Sequence, residues 1–289
     1  MSENISPLEN PLLQEDDYTG RMYHLSLPET KEPNCGWLKQ ELEGSSVDLD
    51  EDDLADRDDL HIPEVFRSGV DNEAQIASIK NVSEFHQEGL NGIMGYLVHN
   101  ESDTVKYDNK EVLILDQQST KFLVFEVSGQ AFLLMLASRE IMRRVYNILS
   151  NTLEEFGFIV DEITLNHSEF EGIAESLVDT HLMTAVEDYE DSNIEKKHIM
   201  GHGFGESEEY KREKRQGAVH GQRFGTSQLD GSSKTIQISD DCLIRSYNNI
   251  TLSMYLSMIA SHIVPSLSLT IQTSVSAYTS ETPRLHTED

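Results

Sequence analysis

Apolar and polar positions over residues 120–165 predict a strand, a tight turn, a second strand, a helix and a third strand. The two apolar runs are Phe122–Val127 and Ala131–Ala137, and Ser128-Gly129-Gln130 joins them. A short connection that contains glycine, placed between two such runs, is typical of a β-hairpin. This hairpin is the centre around which we expect the rest of the chain to be organised.

The helix that follows is predicted by apolar residues that recur at helical spacing from Ile141 to Phe156. Ser138 stands at the expected N-cap, with an acidic residue in the first turn. Gly157 ends the helix, because glycine accepts the left-handed conformation that terminates helices. Residues 158–165 then form the third strand.

The same order of elements recurs near the C-terminus. Residues 235–239 and 243–247 predict a second hairpin, residues 250–263 a helix that Pro265 ends, and residues 267–277 a half-buried strand with alternating apolar and polar positions. The copies share no residue-level identity, so a duplicated strand-strand-helix-strand unit is a hypothesis. Together the two halves predict an α+β fold, with a mostly antiparallel sheet and helices packed on it.

Other stretches give weaker patterns. Residues 72–85 predict a helix, and residues 93–99 and 111–115 predict strands that extend the sheet. A further helix is expected after Ser168, which would cap it in a box with Glu171, and its apolar face would continue to residue 185.

The composition is strongly acidic. The chain has 289 residues, with 52 Asp and Glu against 22 Lys and Arg, and a net charge of −30. Such a surface repels bare nucleic acid and anionic membranes, and it resembles proteins of salt-accumulating organisms. Two cysteines allow no disulfide framework, and the first residues lack the blocks of a signal peptide. We therefore expect a cytoplasmic protein that does not contact the membrane and that needs no cofactor.

Residues 1–74 differ from the rest of the chain. They hold five of the seven prolines and twenty acidic against five basic residues. Low apolar content with high charge predicts a disordered acidic arm. The predicted organisation is then a disordered arm at 1–74, a first half of the core at 75–187, a mobile Gly-rich basic loop at 188–234, a second half of the core at 235–278, and a disordered tail at 279–289.

Two islands in the arm are candidates for binding. Trp37, Leu38 and Leu42 would lie on one face of a short helix that docks on a protein partner; the alternative is local packing on the core. Acidic residues between Asp48 and Asp59 fall on calcium-loop spacing, but Asp53 stands where that loop needs glycine. A solvated acidic run is the favoured interpretation, and no metal site is predicted.

The loop at 188–234 is unusually long for a connection within a domain. Between residues 196 and 225 it holds seven basic and four acidic residues, with aromatic residues among them. This mixture suits phosphate contact and base stacking, and the alternative is a mobile connector. The candidate nucleic-acid-binding residues are Lys196, Lys197, Phe204, Lys211, Arg212, Lys214, Arg215, Arg223 and Phe224. Three histidines in the same stretch, His198, His202 and His220, lack a nearby cysteine and are not expected to bind a metal.

No catalytic motif is present, and no catalytic residue is predicted. Cys242 follows two aspartates, which would raise the pKa of its thiol and weaken it as a nucleophile. The leading interpretation is a non-enzymatic binding or regulatory protein that contacts an unknown protein partner, with homo-oligomers left open. A nucleic-acid-associated protein is the alternative. A metal-dependent hydrolase built on Asp161, His167 and Glu169 is the third.

Overall fold

A computed structural model describes residues 11–26, 35–48, 76–87, 89–107, 110–187 and 196–268. The strands are β1 (Glu15–Asp16), β2 (Thr19–Ser26), β3 (Ser46–Asp48), β4 (Ile76–Gln87), β5 (Leu90–Tyr107), β6 (Lys110–Val127), β7 (Gln130–Leu136), β8 (Ile159–Glu162), β9 (Thr180–Glu187), β10 (Lys196–Met200), β11 (Ala218–Thr226), β12 (Lys234–Ser239), β13 (Leu243–Ser246) and β14 (Ile250–Thr251). The helices are α1 (Cys35–Leu42), α2 (Arg139–Glu155), α3 (His167–Leu177), α4 (Glu208–Gln216) and α5 (Leu252–Met258).

One large sheet organises these elements. Its strand order is β10-β9-β11-β12-β13-β2-β7-β6-β5-β4-β3, with β8 paired to β2, and its pairings are antiparallel. Strands β1 and β14 form a separate antiparallel pair. The predicted α+β class with a mostly antiparallel sheet is confirmed. Within the described residues, none of the helices has the length and apolar character needed to cross a bilayer.

The sheet carries an apolar core on each face, because successive side chains of a strand point to opposite sides. The first face, which includes Met22 and Leu134, is covered by α3 and α5. The second face, which includes Tyr23 and Leu133, is covered by α1 and α2. Three layers result, with the sheet in the middle.

The central hairpin and α2 match their predictions. Strands β6 and β7 are joined by the two-residue turn Ser128-Gly129, in which both residues have positive φ, of 53° and 78°. Ser138 is the N-cap of α2, although its side chain makes no capping hydrogen bond. Gly157 has a φ of 86° just after the helix. Leu149 is buried in the second-face core, as its place in the apolar pattern predicted.

The helix predicted at 72–85 is wrong, because β4 occupies Ile76–Gln87. The side chains of this strand that face the second-face core are Ala77, Ile79 and Val82, whereas Phe85 faces the first-face core. Their spacing changes from two to three because the pairing with β5 shifts between Lys80 and Ser83, where Asn81 has a φ of 57°. A bulge in a strand therefore produced a spacing that resembled that of a helix.

The predicted capping box at the start of α3 is shifted by two residues. Asn166 is the N-cap, and its Oδ1 accepts hydrogen bonds from the backbone of Ser168 and Glu169. The Glu169 carboxylate in turn accepts a hydrogen bond of 2.7 Å from the backbone N–H of Asn166. The helix ends at Leu177, so the apolar positions up to residue 185 belong in part to β9.

Two parts of the predicted arm at 1–74 are folded. Strand β2 lies between β13 and β7, and Tyr23 and Leu25 are buried on the second face. Helix α1 packs on the same core. Here the prediction is corrected, because the average composition of the arm concealed an eight-residue strand whose apolar side chains enter both cores. Residues 1–10, 27–34 and 49–75 lie outside the described part, and so does the acidic run after Asp48.

The predicted mobile loop at 188–234 is also corrected over most of its length. Residues 196–226 form β10, α4 and β11, and β11 pairs with β9 on one side and β12 on the other. Glycines made β11 look like a connector, yet Gly221 and Gly225 are buried positions in its middle. Residues 188–195 lie outside the described part.

The C-terminal half follows its prediction up to the helix. Strands β12 and β13 form the predicted hairpin, and α5 continues through a π-turn at Ile259–Ile263 into a short 3₁₀ turn at Val264–Ser266. Residues 269–289 lie outside the described part, which includes most of the predicted last strand and the tail. The duplicated unit therefore stays a hypothesis.

One buried histidine predicts how stability depends on pH. His99 is 1 % exposed under α2, its Nε2 lies 3.3 Å from the Thr120 hydroxyl, and burial together with the Arg144 guanidinium lowers the pKa of its ring below the ordinary 6.5. As the pH falls below 6.5, the His99 ring binds a proton in the unfolded chain but stays neutral in the folded chain. The free energy of unfolding should fall by up to about 1.4 kcal/mol per pH unit for each such proton.

Urea unfolding between pH 5.5 and 7.5 measures this effect. His99→Gln should show a shallower loss of stability with falling pH than the natural chain. Burial also lowers the pKa of His24 and His262, so part of the dependence should remain. An unchanged pH dependence in His99→Gln would contradict the assignment.

Candidate binding surface

The docking motif predicted in the arm lies in α1, and two of its three residues face the core. Leu38 and Leu42 are 6 % and 0 % exposed in the second-face cluster. They therefore hold α1 on the sheet, which is the local-packing alternative. The side chain of Trp37 lies outside the described part.

Most of the predicted nucleic-acid-binding cations contact carboxylates within the fold. Lys197 Nζ lies 2.8 Å from a Glu213 carboxylate oxygen, and Lys214 Nζ lies 3.0 Å from a Glu171 oxygen. The further pairs are Lys196 with Glu187, Lys211 with Glu208 and Arg212 with Glu213. Arg215 donates from Nε to the Lys211 carbonyl oxygen. The positive charge of this segment is therefore largely compensated in place.

The two aromatic candidates of that segment have structural surroundings. Phe224 is buried in the first-face core. Phe204 packs against the rings of His181 and Tyr210, with centroid distances of 5.9 and 5.3 Å. Neither ring forms an open platform for base stacking. Arg223 lies on a different surface, which is described below.

The residues of the hydrolase hypothesis each belong to a different local arrangement. Asp161 accepts a hydrogen bond from the Ser26 hydroxyl at 3.2 Å, and His167 Nε2 lies 3.5 Å from Glu171. Glu169 accepts from the backbone N–H of Asn166 and, at 2.6 Å, of Ser268. In the described part of the chain, no group of three or more His, Cys, Asp or Glu side chains is arranged to hold a metal ion.

Cys242 is 0 % exposed, and burial followed by the Asp241 charge raises the pKa of its thiol to about 12. The predicted direction of this shift is confirmed, although burial contributes more than the neighbouring aspartates.

The outer half of the second face carries a different kind of surface. The second-face core draws on β2, β4–β8, α1 and α2, and no described residue of β9–β12 belongs to it. Ile236, Ile238 and Ile244 point into the first-face core. The residues directly adjacent to them along β12 and β13 therefore point to the opposite face. We call this surface the open half-face and define it by Met200, Met183, Arg223, Gln237 and Arg245.

These five residues form one lateral row across five strands. Met200 pairs with Met183, Met183 with Arg223, Arg223 with Gln237, and Gln237 with Arg245. Met200 at the outer edge is 71 % exposed. The row thus runs from an apolar end on β10 and β9 to a basic end on β11–β13.

The basic end is held in place by a tyrosine. Arg223 donates from Nε and Nη2 to Gln237 Oε1 at 3.1 and 2.8 Å, and from Nη2 to the Tyr247 hydroxyl at 2.8 Å. The Tyr247 hydroxyl donates to the same Gln237 oxygen at 2.6 Å. The guanidinium carbons of Arg223 and Arg245 lie 4.5 and 5.7 Å from the centroid of the Tyr247 ring. Two cations therefore share one aromatic ring.

Neither arginine forms an ion pair with another described residue. Arg245 makes one hydrogen bond, from Nε to the Thr19 hydroxyl at 3.0 Å, which leaves its two terminal nitrogens for other contacts. Among the described residues, these two guanidiniums share one aromatic ring without a carboxylate at ion-pair distance.

No protein-family model matches the chain, and no curated protein is significantly similar to it. The candidate surface therefore rests on its own geometry.

Sequence reasoning identified Arg223 as a candidate but missed Gln237, Arg245 and Tyr247. A signal was present, because all three occupy polar positions of the second predicted hairpin. Their alternation with Ile236, Ile238 and Ile244 showed that they share the face away from the core. The alternation gave no information on whether a helix covers that face.

Proposed function

We propose that this protein is a non-enzymatic binding protein, and that the open half-face docks a segment of a partner protein that carries carboxylates beside apolar side chains. The observation that carries the proposal is the pair Arg223 and Arg245, two guanidiniums without an ion pair among the described residues on a face with no described helix over it. A cytoplasmic location, favoured by the scarcity of cysteine, belongs to the same proposal.

Carboxylates fit the basic end of this surface for geometric reasons. Arg245 keeps its two terminal nitrogens, whose parallel N–H donors match the two oxygens of a carboxylate, whereas Arg223 keeps the donors of Nη1. Such charge-assisted pairs are stronger than neutral hydrogen bonds. The contacts of Arg223 with Gln237 and Tyr247 fix its plane before a partner arrives, so little side-chain entropy is lost on binding. Arginine and tyrosine are also the side chains most often found at the energetic centres of interfaces.

Apolar side chains fit the other end. Met183 and Met200 are flexible and polarisable, which suits them to contact with varied apolar groups. An extended segment with apolar residues in one half and acidic residues in the other would place its apolar groups near these methionines and its carboxylates near the arginines.

The nucleic-acid alternative has weaker support. Of the seven basic candidates, five contact carboxylates in the fold, and both aromatic candidates are packed against other side chains. The other two are Arg215, which donates to a backbone carbonyl oxygen, and Arg223 on the open half-face, so an oligonucleotide is included as a competing ligand in the test.

The test uses fluorescence anisotropy at 0.15 M NaCl with three labelled probes. These are a twelve-residue peptide in which Leu alternates with Thr in the first half and Glu alternates with Thr in the second (the Glu-Leu peptide), the matching peptide with Lys in place of Glu, and a twelve-nucleotide oligo-dT. The Glu-Leu peptide should bind best. Arg223→Gln combined with Arg245→Gln should weaken it at least tenfold, since buried or clamped charge pairs typically contribute more than 1.4 kcal/mol.

Two controls separate binding from folding. Lys211→Gln removes a cation from the opposite face and should leave affinity unchanged, and thermal unfolding should show that the arginine variants remain folded. Equal binding by the double variant, or no binding of the Glu-Leu peptide, would refute the proposal. Preference for oligo-dT that depends on the same arginines would favour the nucleic-acid alternative, and concentration-dependent dimers lost in the double variant would identify a second copy as the occupant.

A further inference from the structure

A pocket of about 460 Å³ lies where the first strands meet the start of α2. This volume falls in the range typical of small-molecule sites. Its walls come from the β1–β2 turn, from β5 and β6, from the end of β7 with the α2 N-cap, and from β13. The lining residues are Gln14, Asp16, Asp17, Tyr18, Thr19, Tyr96, Ser119, Lys121, Leu136, Ala137, Ser138 and Arg245.

Register places the floor of the pocket on adjacent strands. Leu136 of β7 pairs with Gly20 of β2 on one side and with Lys121 of β6 on the other. Lys121 in turn pairs with Tyr96 of β5. Residues from four neighbouring strands are thus held side by side by backbone hydrogen bonds, which makes the floor a rigid part of the sheet.

The charges around this pocket do not neutralise one another. Lys121 Nζ lies 5.7 Å from the centroid of the Tyr96 ring, and neither Lys121 nor Arg245 forms an ion pair with any residue that the structure describes. Asp16 and Asp17 are exposed at the rim, and they also form no ion pair there. Two cations and two carboxylates therefore border one cavity without mutual contact at ion-pair distance.

Neutral groups complete the lining. Ser138 is the N-cap of α2, yet its hydroxyl makes no capping hydrogen bond, so it is available to a ligand. Tyr18 forms a fixed wall, because it is 6 % exposed, its hydroxyl donates to the Gln14 carbonyl oxygen at 2.8 Å, and its ring packs at 5.5 Å from that of Tyr255. Burial, with smaller effects of Asp16 and Tyr96, raises the pKa of Tyr18 to about 12, so it stays neutral at physiological pH.

We propose that this pocket binds a phosphate monoester of the size of a mononucleotide or a sugar phosphate. The phosphate would contact Lys121, the free terminal nitrogens of Arg245 and the Ser138 hydroxyl, which match its charge and its acceptor oxygens. The carboxylates of Asp16 and Asp17 accept hydrogen bonds from ligand hydroxyls, and Tyr96 presents a ring for stacking. The pocket shares Arg245 with the open half-face, whereas Lys121 and Ser138 lie outside that surface.

The test is isothermal titration calorimetry of the full chain at 0.15 M NaCl with AMP, ribose 5-phosphate, adenosine and inorganic phosphate. AMP or ribose 5-phosphate should bind, with adenosine at least tenfold weaker because it lacks the phosphate. Lys121→Gln should weaken the bound ester at least tenfold, and Lys121→Arg should retain most of the affinity. Lys80→Gln removes an exposed lysine outside the pocket and should change nothing.

Several results would overturn the proposal. They are absence of binding by both esters, equal binding by Lys121→Gln while its thermal unfolding is normal, equal binding of adenosine, and inorganic phosphate binding as tightly as the esters, which would leave only a site for small anions. Lys121→Gln should not alter binding of the Glu-Leu peptide, whereas Arg245→Gln should weaken both ligands. The failure of one proposal is thereby distinguishable from the failure of the other.

Discussion

A chain that begins at residue 35 should lose its cooperative unfolding transition. The deletion removes β2, which lies between β13 and β7 and also pairs with β8. Without it the sheet divides into two parts, and Met22, Tyr23 and Leu25 no longer contribute to the two cores. Urea unfolding followed by circular dichroism measures the transition.

Point substitutions in β2 support the same conclusion in a full-length chain. Met22→Ala should lower the free energy of unfolding by about 2–5 kcal/mol, the usual cost for a buried side chain of this size. Ser26→Ala, at the partly exposed end of the strand, should cost much less. If the shortened chain unfolds with the midpoint and denaturant slope of the full chain, the residues before 35 are dispensable for folding. The prediction of a disordered arm would then be correct for those residues.

Leu149→Ala should also lower the free energy of unfolding by about 2–5 kcal/mol. Leu149 is 1 % exposed between α2 and the second face, so truncation leaves a cavity that rigid neighbours can fill only in part. The matched control is Ile159→Ala in β8, because Ile159 is 59 % exposed and its truncation removes little buried surface.

Ile259→Ala extends this comparison to the opposite core. Ile259 is 0 % exposed at the end of α5, and a cost of the same size is expected there. Equilibrium urea unfolding of the three variants provides the numbers. A cost near zero for Leu149→Ala or Ile259→Ala would show that the helix concerned does not pack on the sheet as described.

The sequence alone determined the elements whose signals are local. The Ser128-Gly129 turn, the strands on either side of it and α2 were predicted because each needs only its own residues. The signals are a glycine for positive φ, two short continuous apolar runs, an N-cap and a terminal glycine. The α+β class followed from these elements. The raised pKa of the Cys242 thiol was also predicted, although from neighbouring charges more than from burial.

The tertiary structure decided where local signals were weak or misleading. Strand β2 lacks a regular alternation and lies close to acidic residues, so its own sequence does not distinguish it from a disordered arm. Only its neighbours β13 and β7 make it a central strand. The bulge at Asn81 changed the period of β4, and glycines concealed β11 between two partner strands. In each case the stabilising contacts come from residues distant in the sequence.

The candidate binding surface shows the same division. Alternation along β12 and β13 placed Gln237 and Arg245 on the face away from the isoleucines, which is a property of the sequence. Their position beside Arg223 and Tyr247 depends on the pairing of β11 with β12, which the sequence alone does not give. Whether a helix covers a sheet face depends on how far the helices extend across it, and α1 and α2 reach only the half built from β2 and β4–β8. Pairing and coverage are long-range properties, so the tertiary structure alone decided that two arginines stand together on an open face.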